Sequence, residues 1–245
     1  MNMPRFYCHE ALSPGALFDL PEPVARHAVR VLRLPPGAAM ILFDGRGGEY
    51  EARIELIEKN RVLVQLGVWR DVERESRLSV SLVQALQAGE KMDFTIQKAV
   101  ELGIAHIIPV DSRRSVTRLS GERAAKRVAH WQGVAVSACE QCGRNRVPVV
   151  EPMEKLEHWL ARSAHPGLRL MLAPDAECSL VDLPPVRDVQ LLIGAEGGLD
   201  PQEMIAAKQA GFQAVRLGPR VLRTETAGLA ALAALQALWG DFREE

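Results

Sequence analysis

Two short apolar runs close to the C-terminus, Val189–Ile193 and Ala214–Leu217, each stop at a glycine, Gly194 and Gly218. A brief continuous apolar run bounded by glycine predicts a buried strand with a sharp backbone turn at its end. The first run leads into Gly194-Ala195-Glu196-Gly197-Gly198 and then a helix start: Asp200 as N-cap, Pro201 at the first helical position, Glu203 where a capping box closes. The second leads into Pro219-Arg220-Val221-Leu222-Arg223-Thr224-Glu225 and a helix over Thr224–Trp239. Leu229, Leu232, Leu235 and Leu238, with alanines between them, make that helix apolar nearly all round. It must therefore be buried, within the chain or against a second subunit. Loops at the carboxyl ends of neighbouring strands are where open α/β sheets bind ligands.

Upstream, Leu78–Val83 reads as a strand and Lys91–Leu102 as a helix, with Met92, Ile96, Ala99 and Val100 on one stripe and Gly103 at the C-cap. Ile104–Val110 is the next strand, and the strand–helix–strand order predicts a parallel α/β sheet. A helix from about residue 122 to 139, a short surface helix over Pro152–Leu160 and a strand over Leu168–Leu172 follow. The N-terminal part has a different rhythm. Ala39–Phe43 is an apolar strand, and Asp44–Gly48 a turn cluster. Tyr50, Ala52, Ile54 and Leu56 then alternate with charged residues, the period of a half-buried strand. A turn over Glu58-Lys59-Asn60-Arg61 precedes a third strand, Val62–Leu66. Before these, Pro23–Leu34 predicts a short helix with Val24, His27, Ala28, Val31 and Leu32 on one face. The charge-dense run Asp71–Arg77 lacks apolar periodicity and marks a boundary between a β-rich domain, residues 1–72, and an α/β domain, residues 73–245. A solvated loop inside one domain would read the same way.

The 245-residue chain is 47% hydrophobic and 25% charged with a net charge of −1, so nothing in the totals advertises nucleic acid. Basic residues must instead be clustered. Between Asp111 and Arg127 they outnumber acidic ones, and Arg113, Arg114 and Arg118 follow directly on a strand's carboxyl end. Phosphate contact there competes with the plainer reading of a solvated helix end. No apolar run approaches the roughly 20 residues that cross a bilayer. The first residues lack the apolar core of a signal peptide. Four cysteines without a framework fit a reducing cytosol. Cys139 and Cys142 form a C-x-x-C, but a structural zinc site usually wants about four ligands, and Cys8 and Cys178 are isolated in sequence. Ordinary reduced thiols are expected, and no metal site is visible among the scattered histidines. The Gly194–Gly198 loop is neither a P-loop nor a dinucleotide fingerprint.

LLIGAEGGLDPQEM followed by VRLGPRVLRTETAGLAAL resembles the paired signature of the SPOUT methyltransferases and, more narrowly, of the RsmE family. HAVRVLRLPPG followed by ILFDGRGGEYEARI resembles that family's N-terminal PUA-like barrel, so the resemblance covers nearly the whole chain. It implies a SPOUT-type α/β trefoil-knot domain with a parallel sheet, preceded by a small PUA-like β-barrel that helps grip RNA. A knot is not something periodicity delivers, because chains generally do not thread loops. The implied activity is S-adenosylmethionine-dependent methylation of N3 of a specific uridine in 16S rRNA, in the cytoplasm, by a homodimer.

The resemblance assigns the cofactor to Leu172, Ala173 and Pro174 at the first strand end, Gly194, Glu196, Gly197 and Gly198 in the second loop, and Leu217, Gly218, Leu222 and Thr224 in the third. Ala195 stands where family members often carry proline. Arg223 and Glu225 are the expected catalytic pair. An arginine can stabilise the anion that develops on O2 or O4 of uracil, and a carboxylate can accept the N3 proton or fix the arginine. A salt-bridged Arg223 and a Glu225 facing the helix macrodipole are the plainer alternative. RNA contacts are expected from Arg26, Arg30, Arg113, Arg114, Arg118, Arg144 and Arg220. Arg144 lies in an E-Q-x-G-R run (Glu140–Arg144) like one placed near the family's active site, with Gly143 allowing the turn. The rival functions are methylation of another rRNA or tRNA nucleotide, a non-catalytic RNA-binding assembly factor, and a nucleotide-using α/β enzyme without RNA.

Overall fold

The computed structural model describes residues 3–59, 61–162 and 165–243; Asn60 of the second predicted turn lies outside them. Contacts divide the chain into two compact units. One comprises Met1–Glu75 together with Cys139–Val147, the other Ser76–Ala138 together with Pro148–Glu245.

In the first unit, β1 (Arg5–Tyr7), β2 (Leu17–Asp19), β3 (Ala39–Phe43), β4 (Glu49–Ile57) and β5 (Val62–Arg70) form a sheet of order β1-β3-β4-β5-β2. Only the β1–β3 pairing is parallel. The period-two pattern of β4 turns Tyr50, Ala52 and Ile54 inward, onto a core with Phe6, Met40, Leu42, Val64 and Leu66. A helix, α1 (Glu22–Arg26), continues as one π turn (His27–Val31). It is shorter than the predicted Pro23–Leu34 and its inward face differs. Ala28 is buried and Val24, Ala25 and Val29 pack on the core, whereas Val31 and Leu32 are exposed. The cause is the π turn: the Leu32 N–H reaches back five residues to the His27 carbonyl, which shifts every later side chain around the axis.

In the second unit the strands are β6 (Ser79–Ala85), β7 (His106–Asp111), β8 (Val149–Val150), β9 (Glu154–Lys155), β10 (Leu168–Leu172), β11 (Asp188–Ile193) and β12 (Gln213–Val215). The helices are α2 (Lys91–Glu101), α3 (Gly121–Cys142, whose last residues group with the first unit), α4 (Leu156–Arg162), α5 (Pro201–Gln209) and α6 (Thr224–Trp239). The sheet is parallel, in the order β12-β10-β11-β6-β7-β8, with β9 also pairing β7. Its apolar runs are continuous because both faces are covered. Met171, Leu192, Val83 and Ile108 lie side by side on one face, in a core with α4 and α5. Leu170, Leu191, Leu82 and Ile107 form the neighbouring buried row. Each such side chain contributes roughly 1.5–3 kcal/mol on burial.

The predicted capping box of α5 is formed: Asp200 accepts from Gln202 N–H, and Glu203 returns to the Asp200 N–H. The helix predicted over Pro152–Leu160 begins only at Leu156, because β9 occupies the residues before it. It is not a surface helix: Leu156, Trp159 and Leu160 are buried. After β12, on the far side of β10, the chain returns to α6, which packs on α2, β6 and β11. Arg216 runs beside Ser179 of the β10–β11 connection on the way.

Candidate active site

Because the strands are parallel, the loops after β10, β11 and β12 share one end of the sheet and line a single cleft. Its walls hold Leu172, Ala173 and Pro174, then Gly194, Glu196 and Gly198, then Leu217, Gly218, Leu222 and Thr224, with Arg216 and Arg220 at the charged side. So all but one of the residues expected at a cofactor meet in one place. The exception is Gly197, whose carbonyl accepts from Arg114 Nη1 at 2.9 Å. A Cβ at Gly197 would meet the Arg114 stem at 3.4 Å, so this glycine packs against the neighbouring loop.

The other glycines differ in what they do. At Gly194 a Cβ would sit 2.7 Å from the Gly198 carbonyl carbon, so the loop can fold back on itself only without a side chain. Gly198 and Gly218 have φ of +72° and +68° and open space where a Cβ would be, which leaves bare backbone facing outward.

Beneath the loops lies a polar network that sequence patterning missed. Thr224 donates to the Gly194 carbonyl at 2.6 Å and accepts from the side-chain amides of Gln84 at 3.1 Å and Gln87 at 3.3 Å. Thr95 in turn donates to Gln87 at 2.9 Å. All four side chains are buried. Glutamines inside an otherwise apolar strand end were the only available signal, since buried amides need partners.

Glu225 and Glu196 approach a common cation. The Lys91 ammonium lies 3.5 Å from Glu196 Oε1 and 3.7 Å from Glu225 Oε1. Glu225 Oε2 is buried and has no hydrogen-bond partner among the described residues. Burial pulls the Glu196 carboxyl upward, but the Ala88 N–H, its own N–H and Lys91 together hold it below its ordinary value. Arg223 is the N-cap residue of α6; its side chain is exposed, with no hydrogen bond or ion pair among the described residues.

The arginines expected to meet RNA fall into three groups. Arg26 and Arg30 line a cavity of about 470 Å³ in the first unit with Lys59 and Arg61, but also with Asp19, Glu22 and Glu58. Arg113, Arg114 and Arg118 form a loop braced on itself. Arg118 bonds Asp111 and the carbonyls of Ser112 and Arg113; Arg113 pairs with Glu157, and its N–H donates to the buried Glu203 at 2.8 Å. Arg144 is only 4% exposed and grips Glu75 through Nε and Nη2. A buried guanidinium needs a counter-charge, and Glu75 supplies it. Next to it, burial pushes the Cys139 thiol up to about 12, so it is no nucleophile at neutral pH.

An RNA methyltransferase domain model matches residues 74–236, and an RNA methyltransferase PUA domain model matches residues 20–67. The fold, the strand-end cleft and these matches define a SPOUT-type RNA methyltransferase. The ribosomal RNA small subunit methyltransferase E of Buchnera aphidicola (from Schizaphis graminum) is 33% identical over 98% of both chains. That of Bacillus subtilis is 30% identical over 92% of both. The crystal structure of the Neisseria gonorrhoeae enzyme of that name, bound to S-adenosyl methionine, superposes with a TM-score of 0.94 and 46% identity over 99% of this chain and 100% of that one. The chain belongs to the ribosomal RNA small subunit methyltransferase E family.

The cleft suits S-adenosylmethionine. Apolar Leu172, Leu217 and Leu222 fit an adenine ring, the bare backbone at Gly198 and Gly218 offers groups to its polar edges, and Glu196 with Arg216 and Arg220 supplies charges of both signs for an amino-acid zwitterion. Among the described residues no helix is long and apolar enough to cross a membrane.

Proposed function

We propose that this chain methylates N3 of a specific uridine in 16S rRNA with S-adenosylmethionine as donor, as a cytoplasmic homodimer. The observation that carries the reading is the gathering of three strand-end loops into one cleft, in a chain 46% identical to a relative crystallised with that cofactor. Leu172, Ala173, Pro174, Gly194, Glu196, Gly198, Leu217, Gly218, Leu222 and Thr224 hold the cofactor, and Gly197 supports the loop. When bound, it supplies an electrophilic methyl group on a sulfonium.

The protein's own work is placement and charge. Arg223, exposed and paired with no other side chain among the described residues, stabilises negative charge on O2 or O4 as N3 loses its proton. Glu225, in the first turn of α6, is the proton acceptor. Arg220 at the cleft and Arg113, Arg114 and Arg118 on the adjoining loop position phosphates. The N-terminal domain adds Arg26 and Arg30. The dimer is supported by the outer face of α6, where Leu229, Ala230 and Ala233 are only half-buried.

The test is methyl transfer from labelled S-adenosylmethionine to small-subunit rRNA, free and in 30S particles, taken from a strain without the endogenous enzyme. Mass-spectrometric mapping is expected to find one new methyl, on N3 of a uridine. Cofactor binding without transfer to either substrate would favour the assembly-factor reading instead.

A further inference from the structure

Gly194 and Thr224 line the cleft, and Gln87 and Thr95 stand behind them. Following the protons along these four residues leaves one arrangement. The Gly194 carbonyl can only accept, and Thr224 Oγ1 lies 2.6 Å from it, so the single hydroxyl proton of Thr224 points there. Toward Gln87, at 3.3 Å, Thr224 Oγ1 then only accepts, so Gln87 presents its Nε2. That turns Gln87 Oε1 toward Thr95, 2.9 Å away, and Thr95 donates. A threonine inside a helix often returns its hydroxyl to a carbonyl of the preceding turn. This one, in α2, donates across to the segment that follows β6. Gln84, the second amide on Thr224 at 3.1 Å, is oriented by the Ala85 carbonyl at 3.0 Å, which is backbone and survives any side-chain change.

We propose that Thr95, acting through Gln87, is a positioning residue for S-adenosylmethionine: the chain of hydrogen bonds Thr95 to Gln87 to Thr224 to Gly194 fixes the β11 loop against the start of α6 and so sets the shape of the cofactor cleft. This deepens the cofactor reading above and rests on it.

The carbonyl at the end of the chain belongs to the residue on which the loop turns. Gly194 lies so close to Gly198 that a Cβ on it would sit 2.7 Å from the Gly198 carbonyl carbon, so a shift of one moves the other. Thr95, Gln87 and Thr224 are 0%, 3% and 7% exposed, which leaves no bulk water to replace a lost member. With valine at 95, the Gln87 amide loses the donor that fixes it. It can then turn over and offer Oε1 to Thr224, drawing the hydroxyl proton off Gly194. Two walls of the cleft that were joined are released.

Calorimetry of S-adenosylmethionine binding, with a denaturation midpoint for each protein, compares the wild type with Thr95→Val, Thr95→Ser, Gln87→Met, Thr224→Val and Thr95→Val in the Thr224→Val background. Thr95→Val is expected to weaken binding roughly fivefold, the worth of about one hydrogen bond. Gln87→Met, which cuts the chain one step nearer the cleft, should match it. Thr95→Ser keeps the hydroxyl and should bind within about twofold of wild type. Both changes at 95 should lower the midpoint, valine through an amide left without its donor and serine through a lost buried methyl. Affinity should therefore follow the hydroxyl and not the midpoint. Where Thr224→Val has already cut the chain, Thr95→Val should cost less than about twofold more. Wild-type affinity in Thr95→Val, equal losses in Thr95→Val and Thr95→Ser, or an undiminished loss in the Thr224→Val background would overturn the assignment. A wild type that does not bind S-adenosylmethionine would overturn the cofactor reading itself, and this inference with it.

Discussion

The segments 139–147 and 216–225 each carry an arginine close to a glycine, and in sequence both arginines look able to reach a substrate. Folded, they have opposite fates. Arg144 is 4% exposed and spends its guanidinium on Glu75, while its neighbour Asn145, fully buried, donates to Glu49 and to the Val72 carbonyl. Arg223 caps α6 with an exposed side chain. The difference lies in what each backbone does. Segment 139–147 leaves a 22-residue helix through Gly143, at φ +89°, into a nest of counter-charges. Segment 216–225 runs across the strand ends, where Arg223 has no hydrogen bond or ion pair among the described residues. An arginine's role therefore follows from whether the fold has buried a carboxylate beside it, which no local motif reports.

Four substitutions would break or sharpen that contrast. The largest effect belongs to Arg223→Ala, expected to lower turnover about 100-fold or more while leaving cofactor affinity unchanged, as for removal of a group that stabilises developing charge. Steady-state kinetics with calorimetry check it; wild-type-like methylation by this variant would erase the contrast. Next, Arg144→Met should destabilise the protein by about 3 kcal/mol, because Glu75 is left partly buried and unpaired. Chemical denaturation measures this; unchanged stability with selectively weakened RNA binding would return Arg144 to the substrate side. The smallest effect sharpens the loop side. Gly194→Ala should weaken cofactor binding by about tenfold, through backbone displacement of the kind that a Cβ 2.7 Å from Gly198 demands. Gly197→Ala, whose Cβ meets only the Arg114 stem at 3.4 Å, should bind as wild type.

Much of this was legible beforehand. The strands Ala39–Phe43 and Leu168–Leu172, the capping box at Asp200 and Glu203, and the helix Thr224–Trp239 are local patterns, readable because hydrophobic period and cap chemistry act over a few residues. The glycine-ended runs Val189–Ile193 and Ala214–Leu217 pointed to the loops that line the cleft, although β12 itself stops at Val215. Other features depend on residues far apart in the chain. The grouping of 139–147 with the N-terminal unit and the Arg144–Glu75 pair are of this kind.

The sequence by itself determined which segments would be strands, helices and glycine-ended loops, because each of those choices is settled by neighbours within a turn or two. Only the tertiary structure decided which charges are spent on the protein and which are left for a ligand. Lys91, Glu196 and Glu225 meet because α2, the β11 loop and α6 converge, and the electrostatic role of each depends on that distance and on the water excluded around it.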